Sequence, residues 1–214
     1  MIDNGLVLTP KELYCLGGIL SARYIDYAYI AALDDIGQDY ALFEKETRAS
    51  LVAKGMLEED FSGEIEPDEA CARLLQPVFF GTVETSLNIC SIGEELKVDV
   101  YNYHFYRGKI TLVKNHGKEL LVSEVAPEMI EETVKALVPG AYTFRSGRQV
   151  ADFDKSKVTR FFSAKSVDVG KASRVKTFIE FDGMLCTEAD EEKLVSLSAD
   201  DFIRAVNDVI KGAM

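Results

Sequence analysis

The spacing of apolar residues changes near Phe79, and this change constrains the fold more than any other feature of the sequence. Before Phe79 apolar residues recur at helical spacing. Residues 82–92 and 96–106 instead alternate with a period of two and are rich in β-branched and aromatic side chains. Arg107-Gly108 and Asn115-His116-Gly117 predict two tight turns. Four strands should therefore follow one another as an antiparallel meander.

The last third of the chain repeats this plan. A helix from Pro127 through Val138, ended by Pro139-Gly140, should close the first meander. The sequence then predicts strands at 157–163, 175–181 and 184–187, a two-residue hairpin turn at Asp182-Gly183, and an amphipathic helix over 200–211.

Two segments can be aligned letter by letter. LVSEVAPEMIEETVKAL (121–137) lies over LVSLSADDFIRAVNDVI (194–210) at a constant offset, and most apolar positions match. This similarity predicts two related strand–strand–helix halves with approximate two-fold symmetry, in which each half covers the sheet face that it cannot bury alone. The segments should share one local structure.

The first part of the chain should be mostly helical, to about residue 76. Thr9-Pro10-Lys11-Glu12 has the residues of a helix start, with Thr9 as the cap and Glu12 closing a capping box. A second helix is expected over 39–54, stopped by Gly55, and a third after Pro67, with a short extended excursion between them. We expect their inward faces to carry Leu42, Ala49 and Val52 in the second helix and Ala70, Leu74 and Leu75 in the third.

The predicted fold class is α+β: a helical N-terminal segment, then an antiparallel β-meander plus helix, then a second, related half. With 214 residues, the chain is expected to form a single domain over 1–214, with a subdivision into halves 1–140 and 141–214.

Composition excludes several classes of function. The net charge is −12, which disfavours nucleic acid as a general partner because phosphates need clustered Lys and Arg. No stretch approaches the ~18 apolar residues of a membrane span, and the first residues lack the pattern of a signal peptide. The four cysteines lie far apart, which favours free, buried thiols. A cytoplasmic protein without membrane insertion is expected.

The sequence shows no recognisable catalytic or metal-binding constellation. His104 and His116 have no partner at ligand spacing, and we interpret them as satisfied or solvated side chains. The acidic pairs Asp34-Asp35 and Glu58-Glu59-Asp60 lie in polar, turn-like stretches. We therefore predict no enzymatic activity, no cofactor and no metal.

Two aromatic patches are the candidate partner-binding residues. Tyr24, Tyr27 and Tyr29 lie in one short stretch, and Tyr101, Tyr103 and Phe105 project from one side of a predicted strand. Tyrosine combines a large contact area with a polar tip, which suits protein interfaces. On the other side of that strand Leu96, Val98 and Val100 are expected to supply a core face. Either another protein or this chain's own helices would cover the aromatic side.

The N-terminal third resembles EspG-type proteins, which are the cytosolic chaperones of type VII (ESX) secretion. The resemblance rests on LTPKELYCLGGIL (8–20), SLVAKGMLEED (50–60) and FSGEIEPDEACARLL (61–75). The matching positions are Leu8, Thr9, Glu12, Leu13, Ser50, Leu51, Lys54, Gly55, Leu57, Gly63, Ile65 and Asp68. The same segment also resembles a winged-helix module, but the acidic charge and the missing basic recognition helix weaken that interpretation.

The resemblance implies a non-enzymatic adaptor that shields a secreted helical-hairpin client until export. Amphipathic helices of the client would enter a sheet face or groove lined by aromatic and aliphatic side chains. An immunity protein or other protein-binding module is the first alternative. An enzyme with a dispersed carboxylate site near Glu84, Glu94, Glu95 or Asp99 is the second. A homodimer is also left open.

Overall fold

A computed structural model describes residues 5–31, 33, 39–138, 147–150, 153–168, 171–189 and 193–211. Two features of the sequence analysis lie outside the described residues: Pro139-Gly140, where the helix of the first meander was predicted to end, and the acidic pair Asp34-Asp35. The first elements are β1 (Gly5–Leu8), α1 (Pro10–Ile19), α2 (Tyr27–Ile30), α3 (Tyr40–Ala53), β2 (Leu57–Glu59), β3 (Ile65–Pro67) and α4 (Glu69–Phe80).

Two meanders follow, and each ends in a helix. The first contains β4 (Val83–Ile92), β5 (Leu96–Tyr106), β6 (Lys109–His116), β7 (Glu119–Glu124) and α5 (Pro127–Ala136). After a 3₁₀ turn at Lys155–Lys157, the second contains β8 (Val158–Asp168), β9 (Arg174–Phe181), β10 (Met184–Ala189), β11 (Lys193–Leu197) and α6 (Ala199–Lys211). The predicted α+β class is confirmed, as is the strand-to-helix order of both aligned segments.

The chain forms two compact units, and their boundary does not follow residue 140. Unit 1 contains residues 1–82 and 104–124, and unit 2 contains 83–103 and 125–214. In unit 1 the strands are ordered β1-β7-β6, followed by the end of β5. In unit 2 the first part of β5 is followed by β4-β8-β9-β10-β11. The neighbouring pairs whose register is defined are all antiparallel, with Phe161 opposite both Cys90 and Ile179, for example.

Strand β1 was not predicted from the sequence. Gly5–Leu8 pairs with β7, placing Leu6 opposite Val122 and Leu8 opposite Leu120. A four-residue apolar run gives little periodicity, and its strand structure comes from hydrogen bonds to residues more than a hundred positions away. Four residues of the predicted helical region are therefore an edge strand of unit 1.

The buried face of α3 also differs from the predicted stripe. Leu42 is 50% exposed and Val52 is 38% exposed, whereas Leu51 and Thr47 are buried. Leu51 joins the core of unit 1, which also contains Leu13 and Leu16 of α1 and Leu75 and Phe79 of α4. The helix itself was correctly predicted, with Asp39 as its N-cap and Gly55 at positive φ after its end. In α4, Leu75 is buried as predicted, but Ala70 is exposed.

Helix α1 begins at the predicted capping box, and its Glu12 is buried. Glu12 accepts hydrogen bonds from the backbone N–H of Thr9, the hydroxyl of Ser50 and the ammonium of Lys54, each at 2.7 Å. Lys54 Nζ also donates to the carbonyl of Val7, at 3.2 Å. Burial alone would raise the pKa of Glu12, but the hydrogen bonds from Lys54, Thr9 and Ser50 outweigh burial and hold the pKa below its usual range. One carboxylate thus joins α1, α3 and β1.

Gly81 is the residue after α4, and the end of β5 passes close to it. Its carbonyl accepts a hydrogen bond from the hydroxyl of Tyr24, and the backbone N–H of Arg23 donates to Phe79 nearby, at 3.1 Å. A Cβ at Gly81 would lie 2.6 Å from the carbonyl oxygen of Phe105 and would also collide with that of Pro77. Only glycine fits between these two backbone segments.

We expect Glu12→Gln to lower the free energy of unfolding at pH 7 by about 2 kcal/mol, because it removes a buried, charge-assisted network. Since the folded pKa of Glu12 is lowered, the stabilisation is present above the unfolded pKa of 4.5 and is lost as the pH falls through the folded value. Urea unfolding from pH 7 to pH 3 should show the variant and the parent converging below about pH 4.5. Glu46→Gln, on the exposed side of α3, should change stability by less than about 0.5 kcal/mol at every pH.

We expect Gly81→Ala to destabilise the protein by at least about 2 kcal/mol, since two backbone carbonyls would have to move. Gly18→Ala is the matched control. Gly18 lies in α1, and its Cβ would meet nothing within 4 Å. That change should be neutral or stabilise the fold by about 0.5 kcal/mol through helix propensity. Equal melting temperatures for the two variants would contradict the packing described for Gly81.

Candidate protein-docking surface

Helix α6 covers one face of the unit 2 sheet. Phe162, Ala164 and Ser166 of β8 are buried, and Phe178 lies opposite Phe162. The ring of Phe202 in α6 contacts both, with centroid distances of 5.4 Å to Phe162 and 4.8 Å to Phe178. Val206, Val209 and Ile210 extend this buried stripe along α6. This face therefore belongs to the core of unit 2.

The opposite face of the same strands is partly open. Alternation along β8 places Phe161, Ser163 and Val167 on it, and Phe161 is 40% exposed. Cross-strand register adds the half-buried Cys90 of β4 and Ile179 of β9, both opposite Phe161. We call this surface the open face of unit 2, and its members on the three strands are Glu84, Ser86, Asn88, Cys90, Phe161, Ser163, Lys165, Val167, Val175, Thr177 and Ile179.

The β4–β5 hairpin extends the exposed apolar surface. Ile92 is 49% exposed and lies two residues beyond Cys90, on the same side of β4. Leu96 and Val98 at the start of β5 are 68% and 54% exposed. The prediction that Leu96 and Val98 supply a core face is therefore wrong, because this end of the hairpin extends past the part of the sheet that the helices cover.

The three aromatic residues that were predicted to share an exposed face of β5 differ from one another in exposure. Tyr103 is 1% exposed and belongs to the core of unit 2, and burial raises the pKa of its phenol. Tyr101 and Phe105 are half-buried. Both sides of the strand are covered at this point, since Asn102 and His104 are buried as well. The outward exposure expected of Tyr103 is thus not observed, and truncating it would create a core cavity.

The second predicted aromatic patch, near α2 in unit 1, also contains both exposed and buried residues. Tyr27 is 75% exposed, Tyr24 is half-buried, and Tyr29 is buried. The hydroxyl of Tyr29 lies 2.6 Å from Nε2 of His104. Burial lowers the pKa of His104 to about 4, although the nearby carboxylate of Asp26 opposes that shift. The imidazole is therefore neutral and is part of the core. Of the two interpretations given for the histidines, a satisfied or a solvated side chain, His104 fits the first.

The remaining polar candidates occupy structural or exposed positions. His116, Glu94 and Glu95 are exposed, and Glu84 and Asp99 are half-buried. Cys15, Cys71 and Cys186 are buried free thiols and Cys90 is a half-buried one, which confirms the prediction for three of the four. Within the described part of the chain, no group of three or more His, Cys, Asp or Glu side chains is placed to hold a metal ion.

Sequence comparison and structure comparison give different answers. No protein-family profile matches the sequence, and no curated protein matches it. The structure is similar to that of the Mycobacterium tuberculosis type VII secretion system chaperone EspG5, solved in complex with the PE25–PPE41 dimer. The TM-score is 0.63 at 9% sequence identity, over 98% of this chain and 97% of that chain. The EspG-like fold predicted from the N-terminal third is confirmed. None of the described helices is long and apolar enough to span a membrane.

We expect acid to destabilise the fold through His104 in a window distinct from that of Glu12. The folded pKa of about 4 lies below the ordinary histidine pKa of 6.5, so between these values the unfolded chain binds a proton that the folded chain does not. Stability should fall by about 1.4 kcal/mol per pH unit below about pH 6.5.

Urea unfolding between pH 7 and pH 5 measures this slope. His104→Gln should remove it, even if the variant is less stable at every pH, because the new side chain does not titrate. His116→Gln, which replaces the exposed histidine, should leave the slope unchanged. A slope that survives His104→Gln would assign the proton uptake to another group.

Proposed function

We propose that this chain is a non-catalytic, cytosolic chaperone or adaptor that binds helical-hairpin substrates of a type VII (ESX-like) secretion system. The observation that carries the proposal is the extent of the structural match, which spans nearly the whole of both chains. The matched part includes residues of both meanders and of both closing helices of this chain. The neighbour's own partner, a PE25–PPE41 dimer, supplies the class of client that we propose.

The open face of unit 2 has the physical character that a helical client needs. Phe161 on this face and Ile92 and Leu96 on the adjoining β4–β5 hairpin expose large apolar side chains, and Asn88, Ser163 and Lys165 add polar groups to the face. Amphipathic helices bind to such surfaces by laying an apolar stripe on the aliphatic and aromatic side chains while their polar face stays in water. Exposed apolar surface of this kind is typical of protein interaction sites.

The described carboxylates support a non-catalytic role. Glu12 is the buried carboxylate of the described residues, and it is compensated by Lys54 within 2.7 Å. Its hydrogen bonds hold three elements of unit 1 together, which is a structural task. Of the four candidate carboxylates of the enzymatic alternative, Glu94 and Glu95 are exposed to water and Glu84 and Asp99 are half-buried.

Tyr101, Phe105, Tyr24 and Tyr27 remain candidates for partner contacts because part or all of each side chain is accessible. Tyr103 and Tyr29 would contribute indirectly, by holding the strand and helix that carry their neighbours. The alternative occupant of the open face is a second copy of the chain. The oligomeric state of the free protein distinguishes this occupant from a client protein.

Co-expression with helical-hairpin proteins from the same organism tests the proposal. We expect one of them to become soluble and to co-purify in a fixed stoichiometry. Phe161→Ser combined with Leu96→Ser should weaken that complex by roughly tenfold or more, because both side chains would lose apolar contacts to the client. The melting temperature should change little, since both residues are already exposed.

Leu42→Ser is the matched control. Leu42 is 50% exposed on α3 in unit 1 and is not a residue of the open face, so the same chemical change should leave the complex intact. If Leu42→Ser and the double variant weaken the complex equally, the open face is not the surface that binds the client. A free protein that forms a dimer disrupted by the double variant would assign that face to self-association instead.

A further inference from the structure

Unit 1 carries a β-hairpin, formed by β2, β3 and the turn between them, whose tip is fully exposed. We call residues 57–67 the acidic hairpin, and it shares no residue with the open face of unit 2. At its tip, Phe61 has the largest exposed fraction of any apolar residue in the described part of the chain. Between Lys54 and Arg73 the sequence contains no basic residue and seven acidic ones, Glu58, Glu59, Asp60, Glu64, Glu66, Asp68 and Glu69.

The base of the acidic hairpin is fixed to the core of unit 1. Leu57 is buried in that core, and Ile65 packs against it. The backbone N–H of Asp68 donates a hydrogen bond to the carbonyl of Met56, at 3.0 Å, and so closes the base of the hairpin. The two strands therefore have a defined position on unit 1 before any partner binds.

The turn at the tip is ordered as well. Oδ1 of Asp60 accepts hydrogen bonds from the backbone N–H groups of Ser62, at 2.8 Å, and Glu64, at 2.9 Å. The backbone N–H of Asp60 in turn donates to the carbonyl of Glu64, at 2.9 Å. The backbone that carries Phe61 thus loses little conformational entropy when a partner covers the ring, which favours binding.

Register places two carboxylates directly opposite each other on the outer side of the acidic hairpin. Glu58 pairs with Glu66, and both are exposed. Side chains in this position have Cβ atoms about 4.5–5.5 Å apart, and like charges there destabilise a sheet. Within the described part of the chain, neither carboxylate has an ion pair with a Lys or Arg side chain. Sequence choices that oppose the stability of the fold are expected at functional sites.

We propose that the acidic hairpin docks on a folded protein partner, with Phe61 in an apolar pocket and with Lys or Arg side chains of the pocket rim beside Glu58 and Glu66. A single ring on a convex tip fits a concave site, and aromatic side chains that fill pockets contribute much of the binding energy of protein interfaces. A basic rim relieves the repulsion between the two carboxylates and speeds association. This proposal does not rest on the proposed function.

The charge of the acidic hairpin disfavours the other occupants of its surface. Carboxylates repel the phosphates of nucleic acids and the headgroups of anionic lipids. A second copy of the chain has the same net charge of −12, so the two copies repel each other overall. A basic protein surface is therefore the occupant that the charge favours.

Photocross-linking in cells of the same organism tests the proposal. The photoreactive residue p-benzoylphenylalanine, in place of Phe61, keeps an aromatic ring at the tip and forms a covalent bond with a group that contacts it. We expect one major partner protein, joined at an apolar residue that has Lys or Arg side chains around it. The same residue in place of Met129, which is exposed on α5 in unit 2, should not cross-link that partner.

Four results of this experiment would overturn the proposal. They are a cross-link to a second copy of the chain, a cross-link to lipid or nucleic acid, a cross-link to a protein surface without basic residues, and no cross-link from the tip.

Binding of the purified partner separates the contribution of the ring from that of the charges. Phe61→Ser should weaken binding by roughly tenfold or more. Glu58→Gln combined with Glu66→Gln should weaken it by roughly fivefold at low salt and by less in about 0.5 M NaCl, where surface charges are screened. Glu128→Gln combined with Glu132→Gln is the matched control, since it removes two exposed carboxylates from α5 and should leave binding unchanged.

Glu66→Lys distinguishes lost binding from lost folding. It places an opposite charge across from Glu58, so the melting temperature should rise by about 1–3 °C while binding of the partner becomes weaker. A Glu66→Lys variant that binds the partner as tightly as the parent would contradict the role given to the two carboxylates.

Discussion

The carboxylate of Glu12 is the interaction on which the architecture of unit 1 depends. It caps the helix that contains it, accepts a hydrogen bond from Ser50 of α3, and pairs with Lys54, which in turn reaches β1. A buried charge costs several kcal/mol unless it is compensated in this way. Because each partner comes from a different part of the chain, the network forms only when α1, α3 and β1 are all in place.

Local signals in the sequence were sufficient for much of the fold. The capping box at Thr9, the hairpin turn at Asp182-Gly183 and the alternation of β4 and β5 each depend on neighbouring residues alone, and each is observed. Long-range features were harder to predict. Strand β1 exists because β7 is available to pair with it, and the inward face of α3 is decided by what packs against it.

The candidate site shows the same distinction. Alternation indicated that Leu96 and Val98 share one side of β5, but it could not show that this end of the hairpin lies beyond the covered part of the sheet. Tyr103 and Tyr29 have the composition expected of an interface and are nevertheless buried. Phe161 and Ile179 became candidates only through cross-strand register, which brings together residues that no sequence pattern connects.

The division of β5 between the two units has a consequence for synthesis on the ribosome. All residues of unit 1 have been made once residue 124 leaves the exit tunnel, whereas residues 83–103 must wait for 125–214 to complete unit 2. Unit 1 can therefore close while a 21-residue loop still lacks its partner strand β8. During that interval the apolar residues of β4 are exposed, so the nascent chain itself offers surfaces that other proteins can protect.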